Sequence, residues 1–152
     1  MAGALDGVRI ADFSHVIAGP YCTMILADLG ADVVKIEPPH GDATRGYKSP
    51  DLGGDSTVFL SYNRNKRSVV LNLSLQEGRE AARDIVERSD VLVENFASGV
   101  MQRLGLDYAA MEKINPRLIY CSISAYGRSG PYAGRAGYDQ VVQAESGFMS
   151  LN

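Results

Sequence analysis

Thiols and histidine are the first candidates for chemistry in this sequence, and their spacing predicts no metal site. Cys22 and Cys121 lie 99 positions apart, which fits neither a metal-ligand spacing nor a disulfide framework. Both fall in apolar surroundings, so we expect them to be buried and reduced. His15 has no second potential ligand at a suitable spacing, which favours a hydrogen-bonded or site-shaping histidine.

Carboxylates and a basic pair are the next candidates. Asp139 is a possible nucleophile, but a loop carboxylate that hydrogen-bonds to nearby backbone is the simpler expectation. Asp12 and Asp28 are expected to be structural. Lys66 and Arg67 precede an apolar run, where a solvated role and a contact with phosphate are equally consistent with the pattern.

These side chains must be positioned by alternating strands and helices. Residues 8–13 form a short apolar run that is typical of a strand covered on both faces. Pro20 suits the first turn of a following helix, and Gly30 suits the position just past its end. Residues 31–37 predict a second buried strand. The three elements form a βαβ unit, with parallel pairing and a right-handed connection.

The alternation continues along the chain. Further strands are predicted at 68–73, 90–94 and 118–124, and helices at 75–88, 100–104, 108–114 and 140–148. Ser74, with Glu77 three residues later, matches a capping box. Residues 38–54 predict a long surface loop. The sequence thus predicts an α/β protein with a doubly wound, parallel, Rossmann-like sheet and helices on both faces.

Composition and charge restrict the class of partner. Fifteen Lys and Arg against eighteen Asp and Glu give a net charge of −3, which argues against nucleic acid. The first residues do not resemble a signal peptide, and residues 16–27 are too short to span a membrane. We therefore expect a cytoplasmic protein. Parallel strands favour a nucleotide-like ligand at their carboxyl ends, but residues 18–20 lack the dinucleotide fingerprint G-x-G-x-x-G.

Short motifs follow one another in a fixed order along nearly the whole chain. They occupy residues 5–20, 29–38, 41–46, 65–68, 90–96, 115–120, 124–127, 130–131 and 137–147. As an ordered set they closely resemble the opening of the class III CoA-transferases (the CaiB/BaiF type). That family includes formyl-CoA:oxalate transferase, carnitine CoA-transferase and α-methylacyl-CoA racemase. The resemblance implies coenzyme A or acyl-CoA as substrate, with a carboxylic acid as the other partner, and no metal.

The resemblance also implies a mechanism and a division of the enzyme. In family transferases an aspartate carboxylate attacks the thioester, and the reaction passes through a mixed anhydride and an aspartyl-CoA thioester. That aspartate lies in a segment after the Gly-Tyr-Asp motif of residues 137–139, and here we expect it beyond Asn152. Residues 1–152 are therefore expected to be the N-terminal CoA-binding portion, without the catalytic-aspartate segment, the small domain and the C-terminal part. We expect this chain to be inactive alone, and the family's interlocked dimers imply a homodimer.

Motif matching then supplies the site residues. The active-site neighbours are His15, Tyr138 and Asp139, and no catalytic residue is expected. The CoA-binding candidates are Val16, Leu71, Asn95, Phe96 and Arg103. Apolar and aromatic walls suit a planar base, and a guanidinium suits phosphates. The alternatives are core packing for Phe96 and a solvated helix face for Arg103.

Other functions stay open from the sequence. Tyr138 stands where the racemase has a catalytic histidine, and a phenol with a pKa of about 10 is a poor proton shuttle at neutral pH. This disfavours a racemase fragment. Ile17 stands where the oxalate enzyme has an amide, which disfavours oxalate as substrate. A non-catalytic remnant that binds CoA, or that acts only through assembly, is the alternative from another class.

Overall fold

The computed structural model of the chain describes residues 3–48 and 50–151. Its strands are β1 (Arg9–Asp12), β2 (Asp32–Glu37), β3 (Asp51–Leu52), β4 (Asp55–Ser56), β5 (Lys66–Val70), β6 (Val91–Glu94) and β7 (Ile119–Ser122). Its α-helices are α1 (Ala18–Asp28), α2 (Thr57–Asn63), α3 (Gln76–Glu87), α4 (Val100–Leu104), α5 (Tyr108–Met111) and α6 (Asp139–Glu145). Short 3₁₀ helices cover Ala43–Gly46 and Phe148–Leu151.

The main sheet is parallel, with the strand order β5-β2-β1-β6-β7. The chain moves outward from β1 to β2 and β5, then returns to place β6 on the other side of β1. This reversal is the switch point at which doubly wound sheets bind ligands. The prediction of a parallel, doubly wound α/β fold is therefore confirmed. The strands β3 and β4 form a separate antiparallel pair.

Alternate residues of the strands build two cores, one on each face of the sheet. Ala11 and Leu92 point to one face, where they pack with residues of α3, α4 and α5. Ile10 and Val93 point to the other face, where they pack with the end of α1. Both faces are thus covered by helices, as a parallel sheet requires.

The helix α1 begins and ends where its sequence signals place it. Pro20 is its third residue, and Gly30 follows its C-cap with a φ of +106°. A left-handed residue just past the last turn is the usual end of a helix, and glycine adopts it without strain.

The predicted capping box at Ser74 is wrong. The N-cap of α3 is Leu75, and no side chain caps this helix. The hydroxyl of Ser74 instead donates to Oδ1 of Asn72 at 2.6 Å, and the Ser74 N–H donates to the same oxygen at 3.1 Å. A local turn around Asn72 therefore uses the group that would have capped the helix.

The described residues of the segment 38–54 do not form a simple surface loop. Asp42 and Thr44 are buried, and the 3₁₀ helix packs against β4 and α2. No helix among residues 3–48 and 50–151 is long and apolar enough to cross a bilayer.

Candidate functional site

A cavity of about 430 Å³, here called the edge cavity, opens at the carboxyl ends of β1, β2, β5 and β6. His15 follows β1, Leu71 follows β5 and Phe96 follows β6. Ile36, Glu37 and residues 38–40 close the β2 side, and Leu104 of α4 adds an apolar contact. Ligand pockets have this size and this mixture of apolar walls with a few polar groups.

His15 forms one wall of the edge cavity as a neutral imidazole. Its ring meets Phe96 edge to face, with ring centroids 4.8 Å apart. Burial lowers the pKa of His15, and the nearby Lys35 charge lowers it further, while Asp42 opposes both. Since the net pKa lies below its usual 6.5, the ring is uncharged at pH 7 and can donate or accept a hydrogen bond.

Asn95 holds the backbone of His15 from the neighbouring strand. The His15 N–H donates to Asn95 Oδ1 at 2.8 Å, and Asn95 Nδ2 donates to the His15 carbonyl at 2.9 Å. Both ends of the amide are therefore engaged by the turn that follows β1. This pair of hydrogen bonds joins the two strands on either side of the switch point.

Val16 adopts an unusual backbone conformation beside this turn. Its φ is +67°, in the left-handed region that β-branched residues rarely occupy. The Val16 N–H donates to Oδ2 of the buried Asp42 at 3.3 Å. Val16 is half-exposed and lies outside the walls of the edge cavity.

Charged residues of β2 lie directly behind the cavity. Glu37 accepts hydrogen bonds from Arg45 Nε at 2.8 Å and Arg45 Nη2 at 2.7 Å, and from the Ser68 hydroxyl at 2.6 Å. Burial alone would raise the pKa of Glu37, but these hydrogen bonds lower it to about 2. Arg45 also pairs with Asp55 and lies over the ring of Phe59, 3.7 Å from its centroid. The Glu37 carboxylate is thus held ionised and fixed in place.

A second cavity, of about 420 Å³, lies on the other side of Phe96. Asn95, Arg128 and Tyr138 contribute to its walls, together with residues 133–137. Arg128 Nη2 donates to the buried Glu94 at 2.8 Å and Nη1 donates to the Phe96 carbonyl at 3.1 Å. Arg128, which lines the second cavity, thereby fixes the end of β6.

The structure gathers some of the sequence-predicted residues and separates others. His15, Leu71 and Phe96 share the edge cavity, whereas Asn95 and Tyr138 line the second cavity. Val16, Arg103 and Asp139 line neither of these two cavities.

Asp139 and Arg103 are both exposed helix residues. Asp139 opens α6 and accepts a hydrogen bond from Gln143 Nε2 at 2.7 Å. Arg103 lies on α4, and among the described residues its guanidinium has no hydrogen-bond or ion-pair partner.

The nucleophilic aspartate is predicted to follow Asn152. Asn152 lies outside the described residues, which end at Leu151. The placement of the attacking carboxylate beyond Asn152 therefore stays a prediction.

Of the two roles left open for Lys66 and Arg67, the structure does not support a contact with phosphate. Lys66 Nζ is buried and bonded to Asp12 at 3.1 Å, the Pro20 carbonyl at 2.9 Å and Asn63 at 3.0 Å. Arg67 pairs with Asp32, the first residue of β2, at the sheet's opposite edge. Neither cation faces the edge cavity.

Sequence reasoning missed the buried ion pair formed by Lys35 and Asp42, whose Nζ and Oδ2 atoms lie 3.0 Å apart. Lys35 and Glu37 alternate with apolar residues inside a buried strand, and this is the signal that could have indicated a partner. Among the described residues, no group of three His, Cys, Asp or Glu side chains could hold a metal ion.

Comparisons with known proteins agree on one family. The model of CoA-transferase family III matches residues 5–152. The acetyl-CoA:oxalate CoA-transferase of Acetobacter aceti is 51% identical over 97% of this chain and 38% of its own length. The human succinyl-CoA:glutarate CoA-transferase is 45% identical over 97% of this chain and 34% of its own length.

A solved structure gives the same result. The crystal structure of a CaiB/BaiF family protein from Brucella suis matches with a TM-score of 0.94 and 43% identity. The match covers 98% of this chain and 40% of that one. The chain therefore spans between a third and two fifths of the lengths of these three proteins.

Proposed function

Because this chain belongs to CoA-transferase family III, we propose that it supplies the CoA-binding sheet of an enzyme that moves CoA between an acyl-CoA and a carboxylic acid. The observation that carries the proposal is the edge cavity, which lies at the switch point and is lined by Leu71, Phe96 and His15. Apolar and aromatic walls suit the adenine of CoA, and the free guanidinium of Arg103 suits its phosphates.

The proposed reaction is nucleophilic covalent catalysis by an aspartate carboxylate. Its oxygen attacks the acyl carbon, the C–S bond breaks, and a mixed anhydride and CoA thiolate form. The thiolate then attacks the aspartyl carbonyl, which releases the first acid and leaves an aspartyl-CoA thioester. The acceptor carboxylate reverses these steps with the new acyl group. The residues of this chain would hold the CoA while these bonds change.

We assign the attacking carboxylate to none of the described residues and propose that it follows Asn152. Asp139 is exposed and lies outside both cavities. The isolated chain is therefore expected to bind CoA without transferase turnover. An assay of acyl-CoA exchange on the purified chain tests this, and robust activity that Asp139→Ala abolishes would contradict it.

The acceptor acid is proposed only as a class. The names of relatives include oxalate and glutarate, which are dicarboxylates. The apolar Ile17, at the N-cap of α1, offers no side-chain hydrogen bond to a small dicarboxylate, so oxalate is disfavoured. Racemase chemistry is also disfavoured, because Tyr138 offers a phenol where proton transfer asks for a histidine.

A homodimer is the proposed assembly. The helix α6 has no buried residue, and Phe148, Met149 and Leu151 are exposed beside it. Exposed apolar groups that lie together are typical of a surface covered by another chain. Sedimentation equilibrium tests the proposal, since a monomer at every concentration would contradict it.

Titration of CoA against the purified chain tests the binding role. We expect heat on mixing and a melting temperature that rises with ligand concentration. Phe96→Ala should weaken binding about tenfold, because it removes the aromatic wall. Tyr108→Ala is the matched control, since this exposed ring lies outside both cavities and outside the proposed dimer surface. No response of the wild-type chain at millimolar CoA would favour the non-catalytic assembly remnant.

A further inference from the structure

Side chains from other elements bond to the backbone of three consecutive residues in the turn that follows β1. Lys35 Nζ donates to the Ser14 carbonyl at 2.8 Å. Asn95 brackets both backbone groups of His15, and Asp42 Oδ2 accepts from the Val16 N–H. The chain is thereby fixed at consecutive backbone groups just where it enters the edge cavity.

This fixation maintains a conformation that the local sequence does not favour. Val16 has a φ of +67°, and a β-branched residue persists there only when its surroundings determine it. Glycine would adopt the same φ at little cost. A side chain that bonds directly to Val16 is therefore needed to maintain this strained conformation.

Asp42 is that partner, and it is held rigidly. Its side chain is fully buried, and Oδ2 also pairs with Lys35 Nζ at 3.0 Å. Its other oxygen accepts hydrogen bonds from the Thr44 N–H at 2.9 Å and the Thr44 hydroxyl at 2.7 Å. The Asp42 N–H donates to Glu37 Oε2 at 2.9 Å. One carboxylate thus connects the strained residue, the Lys35 ammonium and the network around Arg45.

We propose that Asp42 is a positioning residue, which holds Val16 in its left-handed conformation and so sets the His15 ring against Phe96 as a wall of the edge cavity. Asn95 acts with it, because both ends of its amide are used on His15. Asn95 thereby contributes to ligand binding through the turn. The consequence for CoA rests on the proposed function, whereas the consequence for the turn does not.

Two measurements on Asp42→Asn test the proposal. This variant keeps the side-chain shape but loses the charge that orders Lys35 and Val16. We expect amide hydrogen exchange at Val16 to accelerate about tenfold and the Kd for CoA to rise about tenfold. Adding Val16→Gly should return the Kd to within about threefold of wild type, since glycine needs no clamp.

The rescue separates positioning from a general structural role. If Asp42 only stabilised the fold, Val16→Gly would not restore CoA binding, and that result would overturn the proposal. Asn115→Ala is the matched control, because Asn115 Nδ2 binds the Ser89 carbonyl at 2.7 Å at the opposite edge of the sheet. This control should leave both the Val16 exchange rate and the Kd unchanged.

The proposal can still be tested if CoA does not bind or if the variant does not fold. If the wild-type chain does not bind CoA, the proposed function fails, and the exchange rate at Val16 still decides the positioning role. If Asp42→Asn does not fold, Thr44→Val replaces it, since valine removes only the hydroxyl that orients the carboxylate. Exchange at Val16 should then rise about threefold, and full protection would overturn the proposal.

Discussion

The side chains on the two faces of the main sheet are buried to a similar degree, but they differ in chemical type. On the face covered by α3, α4 and α5, Phe13 and Leu92 are 0% exposed and belong to an apolar cluster, and the buried Glu94 pairs with Arg128 at the end of β6. On the face covered by α1, the carboxyl ends of the strands present Asp12, Lys35 and Lys66, whose side chains are no more than 2% exposed. We call the first the apolar face and the second the ionic face, because the second carries more of the buried charges, although each face also has an apolar core.

The two kinds of contact have different roles: apolar contacts stabilise the fold, and ionic contacts fix where particular groups lie. Apolar burial is non-directional and stabilises any arrangement that excludes water. Ion pairs and hydrogen bonds are directional, and a buried pair contributes little net stability because desolvation of the charges opposes it. We infer that the buried charges of the ionic face set where the turn before α1 lies, while the apolar clusters on both faces hold the sheet and its helices together.

The largest expected loss on the ionic face comes from Lys66→Met. It leaves the Asp12 carboxylate buried without its cation, and the free energy of unfolding should fall by about 4 kcal/mol. Adding Asp12→Asn removes the unmatched charge and should recover at least part of the loss. Urea unfolding of both variants measures this. A single-variant loss as small as that of a surface pair would remove the distinction between the faces.

On the apolar face, Phe13→Ala should cost about 4 kcal/mol, because it leaves a cavity in a close-packed core. The loss should be the same in low and high salt, since no charge is involved. Urea unfolding at two ionic strengths checks it. A strong salt dependence would show that the two faces are not energetically separate.

Acid should act through the ionic face. The pKa of Glu37 is lowered from 4.5 to about 2 in the folded protein, so its contribution is complete above pH 4.5 and is lost as the pH falls toward 2. The ionised Glu37 thus contributes about 3 kcal/mol to the free energy of unfolding. Stability measured across this range should fall less steeply in Glu37→Gln, whereas Phe13→Ala should keep the wild-type slope. Equal slopes in all three proteins would contradict the assignment.

The smallest effect is expected at the surface pair of Arg67 and Asp32. Their side chains are 69% and 48% exposed, so Arg67→Ala should change stability by less than about 1 kcal/mol. Thermal unfolding at low and high salt measures it. A loss comparable to that of Lys66→Met would mean that burial does not distinguish the two pairs.

The apolar runs made most of the fold predictable. Residues 8–13, 31–37 and 90–94 lie within one residue of the observed β1, β2 and β6, because strands buried on both faces are continuous apolar segments. The edge strand β5 was predicted at 68–73 but spans Lys66–Val70. Lys66 lies opposite Val33 in the ladder, and its ammonium reaches the buried Asp12, which a pattern of hydrophobicity cannot indicate.

The candidate site was predictable in position but not in its contacts. The resemblance to the family gave His15, Leu71 and Phe96, which share the edge cavity. The roles of Asp42 and Arg45 depend on which side chains meet after folding. Residues 38–54 had therefore suggested only a surface loop, although this segment contains the carboxylate bonded to Val16.

The order of the strands also has a consequence for the biosynthesis of the protein. The central strand β1 pairs with β6, and Ile10 lies opposite Val91. In the nascent chain, the edge of β1 that pairs with β6 stays unpaired until about 80 more residues have been added. Pairings between residues so far apart in sequence form slowly. The wall made by Phe96 can close only after β6 has left the ribosome. A chaperone that shields the unpaired edge of β1 during this interval should therefore raise the yield of folded protein.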